Sequence, residues 1–301
     1  MSTEGKITIV AEDEVISYYE AIEFVLAKAR DFGVYRTHFG MMDNMPAPDY
    51  CYLRSIFRLD LHPERTAIVT EGMNLLHRTI FDAPILHKRI LDVGCGTAGT
   101  LKILADSFPS SQFDGININE VQLRVASKHC IMNKNVKLIL ENILSYQNPI
   151  KYDLIYFIES AFHIANKDLL CQQLDTLLEK EGEITIVDIF IPEQIRQRAG
   201  KKTNELFHYL AVSEWCEKLA QYGIQATNYQ NISAKVATHI TISATEAEYQ
   251  EEVVRYYFDL HPSKTIYQKQ MAEVYSGYVR LQKLLKRGIL EYGILKFKRA
   301  V

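Results

Sequence analysis

Two short stretches carry residue types able to do chemistry. The first, Leu91-Asp92-Val93-Gly94-Cys95-Gly96-Thr97-Ala98-Gly99, places three glycines behind a carboxylate. Glycines let the backbone approach a ligand closely, and the bland alternative is a tight strand-to-helix turn. The second, Ile158-Glu159-Ser160-Ala161-Phe162-His163, sets a carboxylate and an imidazole four positions apart. Both groups can take or give a proton. The bland alternatives are a helix-capping carboxylate for Glu159 and a polar wall for His163.

The elements that position them follow from periodicity. Strands are predicted at Arg89–Val93, Gln112–Ile118, Val136–Leu140, Tyr152–Ile158, Glu183–Phe190 and Ile289–Lys298. The near-continuous apolar run of Tyr152–Ile158 predicts burial on both faces. Helices are predicted at Glu12–Ala29, Glu64–Phe81, Thr100–Phe108, Asn119–Met132, Leu169–Leu178, Pro192–Leu210, Ser213–Tyr222, Glu246–Tyr257 and Lys269–Arg287. Ser213 is read as an N-cap, with Gly223 past the end of its helix. Strands alternating with helices imply an α/β, doubly wound parallel sheet. Ligands then sit beyond the carboxyl ends of the strands, which is where both stretches lie.

The glycine spacing also matches a dinucleotide-binding turn. However, Asp92 precedes the first glycine, and Asn117 stands at the end of the second strand, where a nicotinamide cofactor's ribose would need an acid. An amide can still accept from and donate to a diol.

Hydrophobic-Asp-hydrophobic-Gly-x-Gly resembles motif I of the class I S-adenosylmethionine (SAM)-dependent methyltransferases, with the last glycine displaced by one, at Gly99. Gly115-Ile116-Asn117 with the nearby Gln122 resembles the sterol and geranyl diphosphate C-methyltransferases. So does Asn142 in Glu141-Asn142-Ile143-Leu144, and Thr37-His38-Phe39-Gly40 resembles an N-terminal segment of the geranyl diphosphate enzymes. The resemblance is strong over 90–188, patchy before and weakest after Phe190. It implies a Rossmann-like fold with a mostly parallel seven-stranded sheet and helical N-terminal and C-terminal lid elements. By the same resemblance SAM contacts Asp92, Gly94, Cys95, Gly96, Asn117, Ile118, Gln122, Asn142, Ile143 and Glu159. Glu159 becomes a base or cation stabiliser, with His163 as a second acid or base. The expected substrate residues are His38, Phe39, Arg54, Arg58, Tyr256 and Tyr257.

Methyl transfer to an alkene carbon has no lone pair to use and leaves a carbocation. A carboxylate can stabilise that cation and remove the neighbouring proton, and aromatic faces stabilise it further. The expected function is therefore C-methylation of an isoprenoid, with cyclisation open. An N- or O-methyltransferase of a polar metabolite, or a non-catalytic SAM-binding module, are the alternatives. A diphosphate would need cations, from among Arg36, Arg54, Arg58, His77, Arg78 and Arg255. Magnesium would be held partly by the substrate, since no Asp-rich metal motif is present.

Of 18 Tyr, only Tyr146, Tyr152 and Tyr156 lie between Leu86 and Phe190. The Tyr-rich flanks suit a substrate chamber, although ordinary half-buried packing must account for most of these rings. Residues 1–85 are expected to form an N-terminal helical segment and lid. Residues 86–301 are expected to form the SAM-binding domain, with a helical substrate-binding insertion at about 191–288. At 301 residues, with 48% hydrophobic and 24% charged composition and a net charge of -3, the chain reads as globular,. Neither a membrane span nor a signal peptide is expected, and the near-neutral charge argues against a dedicated nucleic-acid binder. Five scattered cysteines without CxxC point away from zinc and disulfides and towards a cytoplasmic setting. The N-terminal helix could pair subunits into a homo-oligomer.

Overall fold

The computed structural model of the chain describes residues 15–20, 22–23, 38–43, 63–83, 85–199, 207–240 and 268–300. Residues 15–20 and 22–23 are helical. α1 is Pro63–Ile80. The alternating core follows as β1 Arg89–Val93, α2 Gly99–Ser107, β2 Gln112–Asn117, α3 Glu120–His129, β3 Val136–Leu140, β4 Tyr152–Ile158, α4 Lys167–Leu177 and β5 Leu178–Phe190. A 3₁₀ turn, Ala161–His163, follows β4. The remainder is α5 Glu193–Ala199, α6 Val212–Ala220, β6 Ile224–Asn231, α7 Ser233–His239, α8 Gln268–Lys286 and β7 Glu291–Arg299.

The seven strands form one sheet in the order β3-β2-β1-β4-β5-β7-β6. β1 to β5 are parallel, while β7 runs antiparallel between β5 and β6. The strand order reverses between β1 and β4, so the crevice at their carboxyl ends is the place for a ligand. Polar caps start two of the crossover helices. Asn119 Oδ1 accepts from the Gln122 N–H at 3.0 Å, and Asn166 Oδ1 accepts from the Leu169 N–H at 3.0 Å.

The period-2 alternation of β5 and β7 feeds two cores. Val187, Ile189, Tyr292 and Ile294 face a cluster with Ile22, Phe39, Met41, Met73 and Val236. Ile184, Ile186, Leu295 and Phe297 face the opposite cluster, with Leu174, Trp215 and Leu219. A third cluster joins Ile90, Leu101, Phe113, Leu123 and Tyr156 under α2 and α3. The first cluster matters for function, because it clamps the segment around Phe39 onto the sheet. Each fully buried large apolar side chain there contributes about 1.5–3 kcal/mol.

Several expectations are corrected by the structure. Residues 191–288 are not purely helical, because β6 lies inside that stretch and pairs with β7. Of the predicted helix 192–210, α5 ends at Ala199 and residues 207–210 are non-helical. α6 has Ala211 rather than Ser213 at its N-cap, because Glu214 Oε2 accepts from the Ala211 N–H at 2.8 Å. β5 begins at Leu178, directly after α4. The predicted helix 246–257 lies outside the described residues. Among the described residues, no helix is long and apolar enough to cross a membrane.

Candidate active site

Gly94 and Gly96, just after β1, both have positive φ, 77° and 54°. The Gly94 and Cys95 N–H groups both donate to the Ile116 carbonyl, at 2.8 and 3.2 Å, which folds the loop onto the end of β2. A Cβ on Gly94 would lie 2.5 Å from Ser160 Cβ. The Ser160 hydroxyl donates to the Val93 carbonyl at 2.5 Å. The ends of β1 and β4 therefore meet at a point that tolerates only glycine.

Glu159 is the first residue beyond β4. Its φ is 52°, a left-handed conformation that is uncommon for a residue with a side chain,. Its N–H donates to the Val187 carbonyl at 2.9 Å. Glu159 Oε1 accepts from the Phe39 N–H at 2.6 Å and from the Tyr292 hydroxyl at 2.6 Å. Both donors are neutral, and no other hydrogen bond reaches the carboxylate among the described residues. Burial pushes its pKa up to about 8; the Tyr292 and Phe39 bonds pull the other way without cancelling it,. A strained backbone carrying a perturbed carboxylate at a switch point is a functional-site signature.

His163 sits on the 3₁₀ turn after Glu159. Its Nε2 lies 2.9 Å from the Tyr19 hydroxyl, and its ring packs on Phe162 and Phe207. Asp188, on β5, holds that turn by accepting from the Phe162 N–H at 3.0 Å and from the Ile189 N–H at 2.8 Å. Burial raises the Asp188 pKa to about 7.

The segment 38–41 crosses the site as a strap. The Phe39 ring lies edge-on to Tyr278 and Tyr292, with centroids 5.3 and 6.2 Å away. His38 Nδ1 donates to the Phe39 carbonyl at 2.6 Å. His38 Nε2 lies 3.2 Å from His77 Nε2, which in turn lies 2.9 Å from Thr100 Oγ1 in the first turn of α2. The strap is thus joined to the helix behind the glycine loop. The Gly40 N–H donates to His239 Nδ1 at 3.1 Å, and a Cβ on Gly40 would strike the Gly72 backbone at 2.3 Å. Burial lowers the His239 pKa to about 4, so it accepts this bond as a neutral ring,.

The ends of β2 and β3 are lined by amides. Asn117 Nδ2 donates to Gln122 Oε1 at 2.9 Å. Asn142 Oδ1 accepts from the Leu144 N–H at 2.9 Å, and Ile143 is buried beside it. Ile118 is half-buried. Asp92 accepts from the Tyr156 hydroxyl at 2.8 Å, and burial raises its pKa to about 7. Gly94 and Gly96 turn the loop after β1 with positive φ, and the polar amides stand at the ends of β2 and β3. These features fit SAM, whose amino acid, ribose and adenine need such donors and acceptors.

The fold brings Gly94, Gly96, Asn117, Gln122, Asn142, Glu159, His163, His38 and Phe39 to one end of the sheet. Arg54, Arg58, Tyr256 and Tyr257, with Arg36 and Arg255, lie outside the described residues. His77 is spent in the His38–Thr100 cluster. Arg78 is an exposed partner of Glu71, at 2.6 Å. Sequence reasoning missed Tyr292, Asp188 and His239 as site residues, and reached Tyr19 only as one of the tyrosines of the N-terminal flank. Asp188 left a trace, a lone acid in an apolar strand; the others act through long-range contacts that no local pattern encodes.

A methyltransferase domain family model matches residues 86–257, more than half of the chain. Malonyl-[acyl-carrier protein] O-methyltransferase 2 of Ilyobacter polytropus is 33% identical over 95 residues, 32% of this chain and 37% of that protein. The matched stretch is about a third of the length of the first such relatives. An O-methyltransferase from a trans-AT PKS multienzyme of Brevibacillus brevis, solved with S-adenosyl-L-homocysteine, superposes with a TM-score of 0.71 at 20% identity, over 89% of this chain and 85% of that one. Geranyl diphosphate C-methyltransferase from Streptomyces coelicolor A3(2), solved with Mg2+, geranyl-S-thiolodiphosphate and S-adenosyl-L-homocysteine, gives 0.65 at 12% identity, over 96% and 98%. At these identities the structures share the fold alone. With the family match across the glycine loop, β4 and β5, the chain belongs to the methyltransferase domain family and has the class I SAM-dependent methyltransferase fold.

Proposed function

We propose that the protein is a SAM-dependent C-methyltransferase that methylates an alkene carbon of an isoprenoid, a prenyl diphosphate or a prenylated metabolite. The observation that carries this reading is the setting of Glu159. A carboxylate with neutral hydrogen-bond donors stands against an aromatic wall of Phe39 from the strap, Tyr278 from α8 and Tyr292 from β7. Such a wall suits an apolar chain and a transient cation.

Gly94, Gly96, Asn117, Gln122, Asn142 and Ile143 would hold SAM, which would supply an electrophilic methyl; attack by the alkene π-bond on that methyl would leave a carbocation on the substrate. Glu159 faces that charge. A nearby positive charge favours its ionised form, against the effect of burial. It then takes the proton from the carbon next to the cation, and the C–H electrons restore a double bond. The Phe39 N–H and the Tyr292 hydroxyl hold Oε1 in place throughout. His163, oriented by Tyr19, is the second proton-handling group. Magnesium enters this reading only as a counter-ion of a substrate diphosphate.

The test is incubation with methyl-labelled SAM and a panel of prenyl diphosphates, with and without magnesium, and product structure by mass spectrometry and NMR. The expected product carries the label on carbon, with or without ring formation. No transfer to any allylic or homoallylic diphosphate, or label on nitrogen or oxygen of a polar substrate, overturns the isoprenoid reading.

A further inference from the structure

The ribose corner poses a chemical problem. In parallel sheets with a glycine-rich first turn, a carboxylate at the end of the second strand accepts from the ribose hydroxyls. Asn117 holds that place here. Its Nδ2 donates to Gln122 Oε1 at 2.9 Å, and its Oδ1 faces the Asn119 N–H at 3.4 Å. A vicinal diol brings two O–H donors, and a single amide oxygen already facing an N–H matches them poorly.

A carboxylate reaches this corner from far away in the sequence. Glu23, 4% exposed, accepts at Oε1 from Gln122 Nε2 at 3.3 Å. The helical segment that bears it is tied to the same corner by Asn119 Nδ2, which donates to the Ile16 carbonyl at 3.3 Å. The neighbouring Ile22 is buried in the core with Phe39 and Val187, which anchors the segment. Asn117, Gln122 and Glu23 thus form one line of hydrogen bonds from the end of β2 to the N-terminal segment. Tyr19, on that segment, also touches His163 at 2.9 Å.

We propose that Glu23 accepts the ribose hydroxyls of the cofactor, a carboxylate supplied by the N-terminal segment in place of the one that β2 lacks. The inference rests on the SAM reading of the site. One segment would then grip the cofactor's ribose and wall the reacting end.

The test is calorimetric binding of S-adenosylhomocysteine and of its 2′-deoxy and 3′-deoxy analogues to the wild type, Glu23→Gln and Glu23→Asp. Bonds from a hydroxyl to a carboxylate predict about a tenfold or greater loss of affinity for S-adenosylhomocysteine in Glu23→Gln. They also predict a similar loss when the wild type meets a deoxy analogue, and little further loss when the variant meets it. Glu23→Asp, which keeps the charge and shortens the reach, should show the same selective loss. Unchanged affinity in the variants, or equal weakening of all three ligands, overturns the role of Glu23; the second result would mark a purely structural contact with Gln122. No binding of S-adenosylhomocysteine to the wild type would overturn the SAM reading itself.

Discussion

The Tyr292 hydroxyl donates to Glu159 Oε1 at 2.6 Å across 133 positions of sequence. The contact exists because β7 is inserted antiparallel beside β5, with Tyr292 paired to Ile189. It joins the last strand of the fold to the first residue beyond β4. Tyr292→Phe removes a bond that favours the charged carboxylate, so the pKa of Glu159 should rise further. A hydrogen bond to a charged group is worth about 1.5–3 kcal/mol, or roughly one to two pK units. The pH–rate profile of the variant should move to higher pH by about that much, with activity at neutral pH down about tenfold or more and largely regained in alkali. An unmoved profile would show that the hydroxyl does not tune Glu159.

In the wild type, Glu159 must be deprotonated to act as a base. With its pKa raised to about 8 by burial, kcat/KM should climb as pH rises towards that value,. The sulfonium of SAM carries a positive charge that S-adenosylhomocysteine lacks. SAM binding at pH 7 should therefore expel a proton that S-adenosylhomocysteine binding does not. Calorimetry in two buffers of different ionisation enthalpy measures this difference directly.

Gly40→Ala should destabilise the protein, because the added Cβ meets the Gly72 backbone at 2.3 Å and backbone cannot turn aside. Overpacking of this kind costs about 1–3 kcal/mol. The thermal midpoint should fall by several degrees, and activity should fall with it as the Phe39 N–H leaves Glu159. A midpoint equal to that of the wild type would show that the strap is not docked on α1.

Buried Asp92 gives stability a pH slope. Its folded-state pKa, about 7, lies above the ordinary value of 3.8, so the folded protein holds a proton that the unfolded chain has released. Stability from this group is complete below about pH 4 and is lost as pH rises through 7. Asp92→Asn should flatten that part of the slope, by an amount on the order of a few kcal/mol between pH 4 and 7. Urea midpoints across that range test it, and parallel slopes in both proteins would contradict it.

The centre of the alternating core was legible in the sequence because β1, β4 and β5 carry apolar runs of their own. Tyr152–Ile158 is buried on nearly every residue and reads as such. β6 was not legible: Ile224–Asn231 is a polar edge strand, exposed at most positions, and only its pairing with β7 makes it a strand. Glu159 stood out because an acid ended an apolar run. The partners that give it its chemistry, Phe39 and Tyr292, came from segments 120 and 133 positions away, beyond the range of any periodicity. The same holds for Glu23 and Gln122, which are 99 positions apart.

The central claim is that the Glu159 carboxylate takes a proton from carbon after methyl transfer. Glu159→Gln keeps the shape of the side chain and can still accept from the Phe39 N–H and the Tyr292 hydroxyl, but it cannot serve as the base. Paired measurement of S-adenosylhomocysteine affinity and single-turnover formation of the methylated alkene separates cofactor binding from proton removal. The account predicts affinity within about threefold of the wild type, equivalent to less than about 0.7 kcal/mol. It also predicts formation of the methylated alkene about a hundredfold to ten-thousandfold slower. Methylated alkene formed by Glu159→Gln at the wild-type rate would contradict it.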